Sequence, residues 1–153
     1  MDGKLKIMIV DDSETVRKIV QEELQSFGCV VCGYGTAEEG LQHLRKEEFD
    51  IVFIDQRLAG MDGLKMLAKI KEDRIKVIPI IITGYESPES VSEAIECGAF
   101  GYIIKPIQPL YLNATIKAAL KRCEVEMKKD ELIKIRDEQI KALKQEIARL
   151  KQK

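Results

Sequence analysis

Three aspartates, a threonine and a lysine each stand directly after an apolar run. Asp11 and Asp12 follow residues 7–10, Asp55 follows 51–54, Thr83 follows 78–82, and Lys105 follows Tyr102-Ile103-Ile104. If these runs are strands of one parallel sheet, all five side chains reach its carboxyl edge, where open α/β sheets bind ligands. Three carboxylates so close together need neutralising. A hard divalent cation does this, and Mg²⁺ requires one or two protein carboxylates beside water and phosphate oxygens. Lys105 adds a mobile ammonium that can pair with a carboxylate at rest and with a phosphoryl oxygen later. Thr83 adds a hydroxyl donor. Aspartate is a covalent nucleophile in aspartyl-phosphate chemistry. The set therefore suits transfer of a phosphoryl group to one of its carboxylates, with metal and ammonium offsetting charge on the equatorial oxygens.

The intervening sequence supplies the elements that would position these groups. Strands are expected at 5–10, 30–34, 51–54, 77–82 and 101–104, alternating with helix-period segments. Ser13 caps a first helix with the stripe Val16, Ile19, Val20, Leu24 and Phe27, ended by Gly28. Thr36 and Glu39 form a capping box for a second helix carrying Leu41 and Leu44 inward. A third helix, 63–73, sets Leu64, Leu67 and Ile70 on one face. Ser87-Pro88 opens a fourth that buries Val91, Ala94 and Ile95 and stops at Gly98. Pro109 opens the fifth. The third to fifth strands are apolar without alternation, as strands covered on both faces are. The expected fold is α/β, a five-stranded parallel doubly wound sheet with helices on both faces and an extended last helix.

That last segment runs from 110 to 153 with no glycine or proline. Ile133, Ile140, Leu143, Ile147 and Leu150 fit a 4-3 heptad register, which Arg136 interrupts. Glu124 with Lys128, Asp130 with Lys134 and Asp137 with Lys141 set an acid four residues before a base. Such a helix gains from a partner for its apolar stripe. It could self-associate as a coiled coil, dock another protein, or link to a further domain. The expected division is a domain at 1–122 and a helical extension at 123–153.

Bulk properties narrow the classes. The 153 residues suffice for one domain and a short extra element. Net charge is −1, but 121–153 carries +4 and 1–120 carries −5, so global charge points to neither nucleic acid nor membrane. Cys29-x-x-Cys32 has redox spacing but overlaps a strand, and with Cys97 and Cys123 it reads as structural thiols. No apolar stretch approaches the roughly 20 residues of a membrane span. Met1-Asp2-Gly3-Lys4 leads into a six-residue apolar-rich strand rather than a secretory signal, which points to the cytoplasm.

Val10-Asp11-Asp12-Ser13, Ile54-Asp55 with Gly60-Met61-Asp62-Gly63, Ile82-Thr83-Gly84 and Tyr102-Ile103-Ile104-Lys105-Pro106 resemble the receiver domain of two-component response regulators, from residue 5 to about 122. The resemblance implies the CheY-like version of the doubly wound fold. By it, Asp55 is the phosphoacceptor, supplied by a sensor histidine kinase or phosphotransfer protein. Asp12 and Asp55 bind Mg²⁺ with the backbone carbonyl of Arg57, and Asp11 acts through water. Thr83 swings toward the phosphoryl group, Tyr102 turns inward behind it, and Lys105–Pro106 is cis. The surface changed is that of the fourth helix, fifth strand and fifth helix, a second candidate dimer face. Three departures bear on the site. Ala59 replaces the usual proline, which predicts a looser loop after Asp55. Arg57 and Tyr85 flank the route of an attacking water, and their bulk predicts slow loss of phosphate.

Taken singly, these residues have plainer readings. Asp11-Asp12 could be acids at a helix N-terminus, Lys105 a solvated charge, Tyr102 a core aromatic, and Asp62 is better read as a turn residue. His43 is expected to be exposed and inert. A Mg²⁺ phosphohydrolase would want an acid two residues after Asp55, where Arg57 stands. No helix-turn-helix follows, so the basic tail reads as a solvated helical face. Together these residues point to a phospho-acceptor switch relaying a signal by protein contact or dimerisation, or to the receiver portion of a larger ATPase or DNA-binding regulator.

Overall fold

The computed structural model describes residues 4–84 and 87–152. Five strands, β1 (Lys6–Val10), β2 (Val30–Tyr34), β3 (Ile51–Asp55), β4 (Ile78–Thr83) and β5 (Gly101–Ile104), form one parallel sheet in the order β2-β1-β3-β4-β5. Helices α1 (Glu14–Gln25), α2 (Ala37–Lys46), α3 (Gly63–Glu72), α4 (Pro88–Glu96) and α5 (Pro109–Lys151) follow the successive strands. This is the doubly wound arrangement expected from the sequence, and the central strand β3, flanked by β1 and β4, is buried throughout.

Side chains alternate across each strand. Met8, Val10, Val52, Ile54 and Ile81 pack on one face with Leu41 and Leu44 of α2, Met66, Leu67 and Ile70 of α3 and Ala94 of α4. Ile7, Ile9, Phe53, Ile80 and Ile82 fill the other, where Val20 and Leu24 of α1 and Leu112 and Ile116 of α5 are buried. Each such aliphatic or aromatic side chain contributes about 1.5–3 kcal/mol on burial, so the strand ends that carry the acids are anchored firmly.

Helix starts follow the sequence closely. Ser13, Thr36, Asp62 and Ser87 accept hydrogen bonds from the backbone N–H groups of Val16, Glu39, Lys65 and Ser90. The expected stripes need correction. Ile19 is 49% exposed, Phe27 43% and Ile95 60%. In α1 the inward pair is Val20 and Leu24, one turn apart, which turns Ile19 sideways, and Phe27 lies beyond the helix end. In α4 the inward pair is Ser90 and Ala94, so a polar residue takes the place expected of Val91 and turns Ile95 to solvent. His43 is half-buried and stacked on Tyr34, with ring centroids 4.3 Å apart.

Residues 120–153 form a second compact unit. It is helical as far as Lys151. Ile140 and Ile147 are 42% and 52% exposed, and Leu143 and Leu150 are 64% and 55%. Asp137 pairs with Arg136 rather than with Lys141, and Arg122 with Glu126 and Glu146 with Arg149 are further pairs. Exposed pairs of this kind contribute at most about 1 kcal/mol each. Among the described residues the cysteines form no disulfide. Among the described residues no helix is long and apolar enough to cross a membrane.

Candidate functional site

The site is assembled at the carboxyl ends of four strands, β1, β3, β4 and β5. Asp11 follows β1 and is fully buried. Its N–H donates to Tyr34 O, and its Oδ1 accepts from Ser13 N at 2.8 Å, which turns the chain into α1. Asp12, next in sequence, stays exposed. Asp55 ends β3, 5% exposed, and its Oδ1 accepts from Arg57 N at 3.2 Å. One carboxylate oxygen from each of Asp11, Asp12 and Asp55 lies within 4.8 Å of the others.

Lys105 bridges this cluster. Its Nζ lies 3.0 Å from Asp11 Oδ2 and 3.4 Å from Asp55 Oδ2. Its N–H donates to Thr83 O at 2.7 Å, fixing the end of β5 to the end of β4. Thr83 is buried there, 1% exposed. The Lys105–Pro106 bond is cis. Burial, then the charge of Asp11, raise the pKa of Asp55 above its ordinary value, against the opposing pull of Lys105 and of the Arg57 N–H. Burial disfavours the charged form of Lys105, yet hydrogen bonding to Asp11 and the charges of both acids outweigh it and raise its pKa. Lys105 therefore stays an ammonium but only partly neutralises three acids. An all-oxygen, carboxylate-rich set of this kind suits a hard divalent cation, so the residues fit Mg²⁺.

The structure adds residues with no motif of their own. Glu38, exposed on α2, accepts from Met61 N at 2.9 Å and so ties down the loop after Asp55, beside Gly60 at φ +76°. Hydrogen bonds from its own N–H and from Met61 hold the Glu38 carboxyl below its usual value. Gly63 N donates to Gln56 O and Gln56 N to Ile82 O. The loop that Ala59 is expected to loosen is thus tied at Met61 by a side chain of α2. Arg17 donates to Asp11 O at 2.6 Å. The Gly33-x-Gly35 pair seats it, since a Cβ at Gly33 would come 3.2 Å from Arg17 Cδ. Behind the site, the Tyr102 hydroxyl lies 3.1 Å from Ser90 Oγ and 3.3 Å from Gln56 Oε1. Tyr102 thus faces inward, joined to the residue after Asp55 and to α4. Asp62 caps α3 through Lys65 N, as a turn residue would. Tyr85 lies outside the described residues.

The family model of the response regulator receiver domain matches residues 7–117. The transcriptional regulatory protein ZraR of Escherichia coli K12 is 35% identical over 116 residues, covering 76% of this chain and 26% of ZraR. The alkaline phosphatase synthesis transcriptional regulatory protein PhoP of Bacillus subtilis is 30% identical over 132 residues, covering 83% of this chain and 55% of PhoP. The chain therefore spans about a quarter of one of these relatives and about half of the other. Among solved structures, the CheY-like receiver domain protein from Methanospirillum hungatei has a TM-score of 0.76 at 33% identity, covering 81% of this chain and 99% of that one.

Proposed function

The chain belongs to the response regulator receiver domain family, and from that premise we propose that Asp55 accepts a phosphoryl group from a sensor histidine kinase or phosphotransfer protein. The observation that carries this is Asp55 itself, a buried carboxylate at a strand end, 3.4 Å from the Lys105 ammonium and clustered with Asp11 and Asp12. An Asp55 carboxylate oxygen attacks phosphorus as the bond to the donor's imidazole nitrogen breaks. Asp11, Asp12, Asp55 and the Arg57 carbonyl would hold Mg²⁺, whose chemistry is to offset charge on the phosphoryl oxygens. Lys105 pairs with a phosphoryl oxygen, and Thr83 donates to another. Tyr102 then reports the new contacts to the surface of α4, β5 and α5, biasing a two-state equilibrium. The role is signal relay by protein contact in the cytoplasm, not metabolic turnover.

Incubation with Mg²⁺ and a small acyl-phosphate donor should add one phosphoryl group to the intact mass, and hydroxylamine should remove it. No gain in mass, or a label that hydroxylamine leaves in place, would reject Asp55 as acceptor.

Two further results are expected. Glu38→Ala should free the loop after Asp55 and weaken Mg²⁺ binding about tenfold, as loss of an outer-layer partner does, with circular dichroism unchanged. Calorimetric titration checks this, and unaltered affinity would show that the Glu38 tether is incidental. Arg57→Asn and Tyr85→Ala should each shorten the life of phospho-Asp55 severalfold by opening the path of water. Decay timed by intact mass tests that, and decay of the parent within seconds would contradict it.

A second reading keeps this chemistry but makes the receiver one part of a larger regulator, ATPase or DNA-binding. The share of ZraR and PhoP that the chain covers favours it. Coding sequence continuing past Lys153 into such a module would support it.

A further inference from the structure

In the helical second unit, an apolar seam is flanked by charges in an ordered sequence of sign. With Ile133, Ile140 and Ile147 at the a positions, Arg136, Leu143 and Leu150 take d. The e positions are then Asp130, Asp137, Lys144 and Lys151, acids first and bases last. The g positions are Leu132, Gln139 and Glu146.

We propose that a second copy of this chain covers this seam in antiparallel register, with Ile140 of one copy against Leu143 of the other. This goes beyond the phosphoacceptor reading and stands without it. In an antiparallel pair each a residue meets a d residue, and e positions meet e positions. Ile133 then meets Leu150 of the second copy, and Arg136 meets Ile147. The two Arg136 side chains lie far apart, and each can extend its guanidinium to solvent along an apolar stem. Asp137 meets Lys144 and Asp130 meets Lys151, and the two-fold repeats both contacts. Four cross-helix contacts of opposite sign result, and none of like sign.

A parallel pair uses the same charges poorly. There e meets g, so Asp137 would meet Leu132 and Lys144 would meet Gln139, leaving Glu146 with Lys151 as the opposite-sign contact. It would also set Arg136 against its own copy inside the seam. Like charges facing one another suppress a pairing, whatever the apolar contacts on either side. The overlap from Asp130 to Lys151 is about 33 Å of helix.

The test is sedimentation velocity of the full chain over a range of concentrations. Asp137→Lys sets the introduced lysine against Lys144 in both contacts, and the dimer dissociation constant should rise about tenfold. Adding Lys144→Glu to it restores opposite signs and should restore the parental constant. Glu146→Lys faces Gln139 in this register and should change little. Circular dichroism establishes that each variant keeps its helix, and intact mass on the same samples follows Asp55 separately. A parent that is monomeric at every concentration overturns the proposal. So does a dimer indifferent to Asp137→Lys, or one that Glu146→Lys weakens while Asp137→Lys does not.

Discussion

Asp55→Asn should take up no phosphoryl group and, without Mg²⁺, should melt at a higher temperature than the parent. The first result follows from loss of the nucleophilic oxygen. The second follows from electrostatics. Asp55 is buried beside Asp11, and both burial and that neighbouring charge disfavour its ionised form. Asparagine keeps the shape and an oxygen that can accept from Arg57 N. Lys105 loses a contact of 3.4 Å but keeps the 3.0 Å contact to Asp11. The net gain should be about 1 kcal/mol, a rise of about 3–5 °C in Tm. The sign of the pH dependence is determined. The folded-state pKa of Asp55 lies above its ordinary value of 3.8. Its contribution to stability is therefore full below that value and is lost as pH rises through the raised pKa. The advantage of the variant should vanish in acid and grow toward neutrality. Mg²⁺ should stabilise the parent more than the variant. Melting in EDTA across a pH series decides the matter, and a variant less stable than the parent at neutral pH would show that the Lys105 contact outweighs the repulsion.

Gly63→Ala should be the most damaging single methyl group in this part of the fold. A Cβ there would stand 2.4 Å from Asp55 O, 2.9 Å from Gln56 Cα and 3.1 Å from Asp55 C. These are main-chain atoms of the very segment that carries the acceptor carboxylate. Relief requires shifting β3's end, so stability should fall by about 3 kcal/mol and phosphoryl acceptance should fall further than stability predicts. Gly40→Ala is the control. Its Cβ would meet Val10 Cγ2 at 2.8 Å and Met66 Cε at 3.0 Å, so stability should fall there too, since the buried Val10 is stiff, but no main-chain atom of the Asp55 segment is displaced. Denaturant titration and rates of phosphoryl uptake for both variants separate the two cases. Equal losses would show that the close approach to Asp55 is unimportant.

What could be read from the sequence is what repeats or punctuates. Apolar runs placed Asp11, Asp12, Asp55, Thr83 and Lys105 at strand ends, and short polar residues marked where helices start. The choice between neighbouring apolar residues was less legible. Ile19 against Val20, and Ile95 against Ala94, differ by one residue of helical rotation, and packing decides which turns inward. Least legible were contacts between distant residues with no periodic pattern. Glu38 reaches Met61, and Ser90 reaches Gln56 and Tyr102, only because the sheet brings α2 and α4 to the same edge. The helical second unit shows the opposite case. Its heptads were visible from the sequence, but the order of sign at its e positions bears on pairing only once a partner is considered.

The inward Tyr102 has a consequence for how partner and phosphoryl group act on one another. Its hydroxyl lies between Ser90 of α4 and Gln56, the residue after Asp55. On the proposed reading, one oxygen is the junction between acceptor and surface, so a shift at Asp55 and a partner pressing on α4 act on the same contact. Coupling through such a junction is reciprocal. A partner that favours one setting of it would change the equilibrium for phosphoryl uptake by the factor with which uptake changes its own affinity.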